Sequence, residues 1–192
     1  MRIVGGEARG RQIRIPRGCR IRPTADRVKE SLFAILGPLE GCSFLDLFAG
    51  SGNVGIEAIS RGASPAVFVE QDRRVSAALR ANLQSLGMEG TAEVITADAR
   101  RGIGELLRRH ARFDVLFADP PYDEGLVGEC LRWLEGGELL TAGGIVVVQH
   151  SVREPLEGAY PQTLATLAVS DQRRYGDTML SFLKSCTEGR CP

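Results

Sequence analysis

The sequence predicts an α/β chain: a doubly wound, mostly parallel seven-stranded sheet with an antiparallel edge, preceded by a small β-hairpin/helix extension. Three observations carry this. From Phe44 onward short apolar runs alternate with helical stretches, the pattern of repeated βαβ units. A glycine-punctuated turn joins the first of these strands to its helix. The last two strands are separated by only a polar turn, too short for a parallel crossover. A chain of 192 residues can bury a full core, and its 23 glycines suit a fold with many tight turns.

The elements follow in order. Arg2–Val4 and Gln12–Ile15 are short candidate strands, with Gly5-Gly6 and Gly10 supplying turns between them. Pro16-Arg17-Gly18 breaks the segment. Thr24 is the expected cap of a helix over 25–36, with Val28, Leu32, Ile35 and Leu36 on one face. The core strands are then Phe44–Phe48, Ala66–Val69, Ala92–Thr96, Phe113–Ala118 and Ile145–Gln149. The helices between them are Asn53–Ser60, Asp72–Leu86, Ile103–Arg109 and Leu126–Leu134. Thr163–Val169 and Thr178–Leu183 form the closing antiparallel pair. Residues 1–37 thus form an extension packed on the core, 38–185 the main domain, and 186–192 a polar tail.

The chemistry collects at the carboxyl ends of the strands, where open α/β sheets bind ligands. Leu45-Asp46-Leu47-Phe48-Ala49-Gly50-Ser51-Gly52-Asn53-Val54-Gly55 runs from strand into helix. Gly50 and Gly52 let the backbone turn closely around a ligand, and Gly55 lets the helix approach the sheet. Asp46 inside this turn disfavours a pyrophosphate and favours an amine- or sulfonium-bearing ligand. Glu70 closes the second strand, placed to accept hydrogen bonds from ribose hydroxyls. Asp98 ends the third and is placed to contact an adenine amine or to order the pocket. Asp119-Pro120-Pro121-Tyr122 ends the fourth. Its prolines make a rigid loop. A carboxylate, fixed carbonyls and an aromatic ring together suit a flat ligand that bears an amine.

Other chemistries find little support. His110 and His150 lie outside any metal-ligand spacing, and no nucleophilic triad or phosphate-binding Walker loop is present. His110 reads as a helix-end residue. The five cysteines form no C-x-x-C pair, and their odd number argues for a reduced, cytoplasmic protein, although Cys186 and Cys191 are close enough in sequence to pair. No apolar stretch is long enough to span a membrane. Net charge is zero, yet residues 1–30 hold nine Arg or Lys against three Asp or Glu. Such a surplus predicts a surface for a polyanion, with Arg11, Arg22 and Arg27 foremost and Arg173 and Arg174 as a second basic edge.

The glycine loop, Glu70, Asp98 and Asp119–Tyr122 resemble the class I S-adenosylmethionine-dependent methyltransferases, and the last motif resembles that of enzymes methylating an exocyclic nitrogen. Arg2–Gly6, Gly10-Arg11, Arg22–Glu30, Phe44–Gly52 and Arg173–Thr178 are similar to the RsmD-type 16S ribosomal RNA guanine-N2 methyltransferases, over nearly the whole chain. The resemblance implies a cytoplasmic bacterial enzyme of the guanine(966)-N2 type. Its expected partner is 16S ribosomal RNA in a small-subunit particle or assembly intermediate, with no membrane, no metal and no implied oligomer. S-adenosyl-L-methionine would be held by Asp46, Phe48, Gly50, Ser51, Gly52, Asn53, Glu70, Asp98, Ala99 and Asp119. The catalytic residues would be Asp119, Pro120 and Tyr122. RNA would bind Arg11, Arg22, Arg27, Arg173 and Arg174. A DNA adenine-N6 methyltransferase and a non-catalytic RNA-binding assembly protein are the competing readings.

Overall fold

The computed structural model describes residues 1–16, 18, 24–122, 124–136, 138–156 and 166–185. Arg22 and the Cys186–Cys191 pair therefore lie outside the described residues. The sheet has seven strands, mostly parallel. The chain divides into two compact units, residues 1–102 and 103–192.

The first unit holds α1 (Asp26–Leu36), β1 (Phe44–Asp46), α2 (Gly55–Ser60), β2 (Ala66–Glu70), α3 (Arg73–Leu86), β3 (Ala92–Thr96) and the start of α4 (Ala99–Arg108). β1, β2 and β3 pair in parallel, Phe44 opposite Ala66 and Ala66 opposite Ala92. β1 and β2 are buried on both faces, as a covered parallel sheet requires. α3 lays Val75, Leu79, Leu83 and Leu86 inward at helical spacing. Asp72 caps it, accepting from the amides of Arg74 and Val75 at 2.7 and 3.1 Å.

The extension departs from expectation around a buried network centred on Glu57 and Lys29. The hairpin shrinks to a single bridge, Arg2 opposite Gln12, with Ile3 and Ile13 buried beneath. Pairing stops there because the Val4 and Gly5 amides turn to the Glu57 carboxylate, at 2.8 and 2.7 Å. Thr24 does not cap α1. The N-cap is Ala25, with no side-chain cap bond, and the Thr24 carbonyl instead accepts from the Asn53 amide at 3.0 Å. Ile35 is exposed, and the buried face of α1 is Val28, Lys29, Leu32 and Phe33. Lys29, counted in the sequence with the basic surface, is fully buried. Its ammonium donates to the Arg2 carbonyl at 2.7 Å, Asn53 Oδ1 at 2.9 Å and Glu57 Oε2 at 3.3 Å.

The second unit holds most of α4, β4 (Phe113–Ala118), α5 (Leu126–Leu134), β5 (Leu140–Ser151), β6 (Leu167–Tyr175) and β7 (Thr178–Ser185). β4 and β5 are parallel, and β7 joins β5 and β6 antiparallel. β5 starts earlier than the apolar run, because a register shift between Phe113 and Val115 lets Leu140 pair before the regular ladder begins at Ile145. β6 reaches through the polar segment to Tyr175. An edge strand pairs on one side only, so it tolerates the mostly exposed side chains of 169–174. His110 stands at φ 53° just past α4, where it closes the helix by donating its amide to the Leu107 carbonyl at 2.9 Å.

Breaking one half of a buried ion pair strands the other charge, at a cost of about 3–5 kcal/mol. Lys29→Met is therefore expected to lower the urea midpoint sharply. Lys29→Met combined with Glu57→Gln should cost less than the sum of the two single changes, which a double-mutant unfolding cycle measures.

Candidate active site

Two carboxylates organise the strand ends of the first unit. Asp46, the last residue of β1, is 2% exposed. Its Oδ2 accepts from the Gly55 amide at 3.0 Å, while Oδ1 is buried with no hydrogen-bond partner among the described residues. Burial pushes the Asp46 carboxyl up to about 7. The Gly55 amide pulls it back, and the charge of Glu70 adds to the rise. Glu70, at the end of β2, accepts from the Gly50 amide at 2.8 Å and the Asp72 amide at 2.7 Å. It braces the glycine loop against the entry of α3. Each carboxylate oxygen keeps a further lone pair for a hydroxyl donor.

The loop between them is shaped by close approach. Gly52 has φ 87°, and a Cβ there would lie 2.4 Å from Leu79 Cδ1. A Cβ on Gly55 would lie 2.3 Å from the Phe68 ring, so glycine lets α2 start directly against β2. Ser51 is buried, and its hydroxyl has no partner among the described residues. The Asn53 side chain faces away from this loop, into the Lys29 and Thr24 contacts, so a ligand would meet its backbone. That same demand delays α2 from Asn53 to Gly55. Asp98 caps α4, accepting from the Arg101 amide at 2.9 Å and pairing with the Arg101 guanidinium at 3.3 Å. This cap starts α4 at Ala99, four residues before the apolar signal at Ile103. Ala99 is buried, and Phe48 is half-buried in the turn leaving β1.

In the second unit Asp119, Pro120, Pro121 and Tyr122 leave the end of β4, with Asp119 half-buried, Pro120 buried and the Tyr122 ring half-buried. Gln149 on the neighbouring strand donates from Nε2 to the Tyr122 hydroxyl at 3.3 Å, and its Oε1 is buried without a partner among the described residues. His150 is consumed structurally: its Nε2 meets Ser181 Oγ at 2.8 Å and its Nδ1 meets the Ser151 carbonyl at 3.0 Å. Burial lowers its pKa.

The basic candidates divide. Arg27 is exposed. The Arg11 guanidinium donates to the Leu86 carbonyl at 3.1 Å and to the Ser85 carbonyl, so it satisfies the C-terminal end of α3. Arg173 pairs with Asp171 at 2.9 Å, and Arg174 donates to the Gly176 carbonyl at 2.9 Å. Both lie on the exposed edge strand and not in the turn beyond it. Among the described residues no group of His, Cys, Asp or Glu could hold a metal ion, and no helix is long and apolar enough to cross a membrane.

The model for the family described as Conserved hypothetical protein 95 matches residues 1–184. YlbH of Bacillus subtilis is 35% identical over 185 residues, covering 96% of this chain and 98% of its own. Ribosomal RNA small subunit methyltransferase D of Escherichia coli is 38% identical over 157 residues, 81% of this chain and 77% of the relative. The solved structure of yhhF from Escherichia coli superposes with a TM-score of 0.82 at 32% identity, covering 98% and 99% of the two chains. The chain belongs to the ribosomal RNA small subunit methyltransferase D family. It is a class I S-adenosylmethionine-dependent methyltransferase.

The residues of this family member fit that cofactor. An orphaned, buried carboxylate oxygen at Asp46 beside the charge of Glu70 is an electrostatic deficit that a cationic ligand offsets. The orphaned Ser51 hydroxyl has hydrogen-bonding capacity to spare, and Glu70 can still accept from hydroxyls. Reading the sequence missed Glu57, Asn82 and Gln149. Their signal was a polar residue inside an otherwise apolar stripe: Glu57 in the short run Gly55–Ser60, Asn82 among Val75, Leu79, Leu83 and Leu86, and Gln149 at the end of Ile145–Val148.

The pKa of Asp46 in the folded protein exceeds that of an unfolded Asp. The folded state is thus favoured while Asp46 is neutral, and that contribution is lost as pH rises from about 4 through about 7. Cofactor-free protein should lose urea stability between pH 5 and pH 8, and Asp46→Asn should flatten this loss. A bound cation favours the ionised carboxylate. Calorimetric affinity for S-adenosylmethionine should therefore climb with pH up to about 7 and level off above it, a dependence that Asp46→Asn removes.

Proposed function

We propose that this enzyme methylates the exocyclic N2 of a guanine in 16S ribosomal RNA, acting on a small-subunit particle or assembly intermediate. One observation carries the reading: an Asp-Pro-Pro-Tyr loop at the end of β4, tied to β5 through Gln149, in a chain of this methyltransferase family.

S-adenosylmethionine supplies a methyl group already activated on a sulfonium. The chain's own work is to bind and to aim. Asp46 and Glu70 set a negative potential for the cationic cofactor and its hydroxyls, with the amides of Gly50 and Gly55 holding both acids in place. Guanine's exocyclic amine is a weak nucleophile, because its lone pair is delocalised into the ring. In this reading the Asp119 carboxylate accepts one amine hydrogen and the Pro120 carbonyl accepts the other, which aims the nitrogen lone pair. Positioning of this kind supplies much of a transfer rate. Asp119 need not be a strong base, since the nitrogen gives up its proton readily once alkylated. Tyr122, its hydroxyl held by Gln149, offers its ring to the extruded base, a stack worth about 1–3 kcal/mol.

Small-subunit particles and naked 16S ribosomal RNA incubated with labelled S-adenosylmethionine should acquire label on guanine N2, read by mass mapping of the modified nucleotide. Binding of cofactor without label on either substrate would refute the assignment, and label on an adenine would redirect it.

Asp119→Ala should lower single-turnover transfer by at least a hundredfold while S-adenosylhomocysteine affinity changes by less than about threefold. Near-normal transfer by this variant would remove Asp119 from its role.

A further inference from the structure

Three buried side-chain atoms have no hydrogen-bond partner among the described residues: Asp46 Oδ1, Ser51 Oγ and Gln149 Oε1. The first two belong to the cofactor's loop. The third stands by the Asp119–Tyr122 loop, and neither holding the cofactor nor aiming the amine accounts for it.

Gln149 lies near the end of β5 and is 5% exposed. β4 and β5 run parallel with Ala118 opposite Val148, so Asp119 and Gln149 are the next residues on adjacent strands. The Gln149 carboxamide has one hydrogen bond among the described residues, from Nε2 to the Tyr122 hydroxyl at 3.3 Å. With its nitrogen turned to the tyrosine, its oxygen remains as a neutral acceptor with no donor. The next side chain along the strand offers nothing comparable. His150 is spent on Ser181 Oγ at 2.8 Å and on the Ser151 carbonyl at 3.0 Å, and Gln172 Nε2 also donates to Ser181 Oγ, at 2.9 Å. Val146, Val147 and Val148 are fully buried, so an apolar side chain would continue the strand without stranding a polar atom. A buried acceptor left unpaired costs stability, and it is accounted for where a ligand supplies the donor.

The target base can supply it. Asp119 and Pro120 take the two hydrogens of the exocyclic amine, a group that guanine and adenine share. The bases differ in the ring atom beside that amine. In guanine, N2 is flanked by N1, which carries a hydrogen and donates. In adenine, N6 is flanked by an N1 that has only a lone pair. A neutral acceptor next to the amine therefore pairs with guanine and meets adenine lone pair against lone pair. Extruded bases are read in this way, through hydrogen bonds to the Watson–Crick edge.

We propose that Gln149 is a specificity-determining residue, whose carbonyl oxygen accepts from N1–H of the target guanine and selects against purines with no hydrogen on N1. This rests on the guanine-N2 reading above and adds to it the residue that chooses the base.

The test uses small-subunit particles rebuilt with 16S ribosomal RNA carrying either guanine or 2-aminopurine at the mapped nucleotide. 2-Aminopurine keeps the amine at position 2 and has no hydrogen on N1. Single-turnover methyl transfer is measured for wild type, Gln149→Leu and Gln149→Glu, with S-adenosylhomocysteine affinity and melting temperature as checks on folding. Wild type should favour guanine over 2-aminopurine by about tenfold or more, since a site built to accept a hydrogen bond rejects the analogue that lacks the donor. Gln149→Leu should bring the ratio to within about twofold by losing rate on guanine alone, whereas Gln149→Glu, which keeps an acceptor oxygen, should hold it near the wild-type value. A role confined to bracing Tyr122 would slow both substrates alike in Gln149→Leu and leave the ratio unchanged. That result, or a wild-type ratio within about twofold, overturns the assignment of Gln149 while guanine methylation stands. Failure of wild type to methylate the guanine particles overturns the guanine reading itself, so the wild-type arm tells the two failures apart.

Discussion

Burying the Glu57 carboxylate is the constraint on which the first unit depends. A fully buried charge is tolerated only when it is paired and hydrogen-bonded. Glu57 meets that demand by gathering the Val4 and Gly5 amides, the Lys29 ammonium and the Arg61 guanidinium. Those donors come from the arm, from α1 and from α2 itself. Lys29 passes the constraint to Asn53, and Asn53 passes it to the Thr24 carbonyl. Arg61, held at Glu57, lies 4.7 Å over the Phe33 ring and closes the network from the other side. The extension is therefore bonded into the unit that carries the glycine loop, and Asn53 belongs to both.

The strand-end acids run on the opposite logic. Glu57 is fully satisfied, whereas Asp46 is left with one oxygen unpaired and with Glu70 acting against its ionisation. A protein that needed only stability would replace Asp46 with an apolar or amide side chain. Keeping a destabilised carboxylate at the end of β1 makes sense where a cation completes it. Glu70 then serves twice, fixing the glycine loop through the Gly50 amide and setting the potential that Asp46 feels.

Most of the architecture was legible because its signals are local. Ala92–Thr96, Phe113–Ala118 and Leu126–Leu134 match their observed bounds, being apolar runs bordered by turn residues or a cap. The glycine loop, Glu70 and the Asp119 loop could be placed for the same reason, since each follows a strand whose end is visible in the residues. The extension was legible in outline only. Thr24 looks like a cap because threonine commonly caps helices, but the Asn53 amide takes its carbonyl from 29 residues away. Lys29 and Arg11 count as surface charge in any linear tally, yet one is buried against Glu57 and the other closes the end of α3.

By itself the sequence determined the order of strands and helices, the carboxylates at the strand ends and the proline-stiffened loop after β4. These follow from hydrophobic period, from glycine and proline geometry and from charge at fixed offsets. Only the tertiary structure decided which charges remain for a ligand. Whether a side chain is spent internally depends on partners far away in the chain, and burial sets the cost of leaving it unpaired. That is why Lys29 and Arg11 moved from surface charge to internal contacts, and why Asp46 emerged as the acid with an unmet demand.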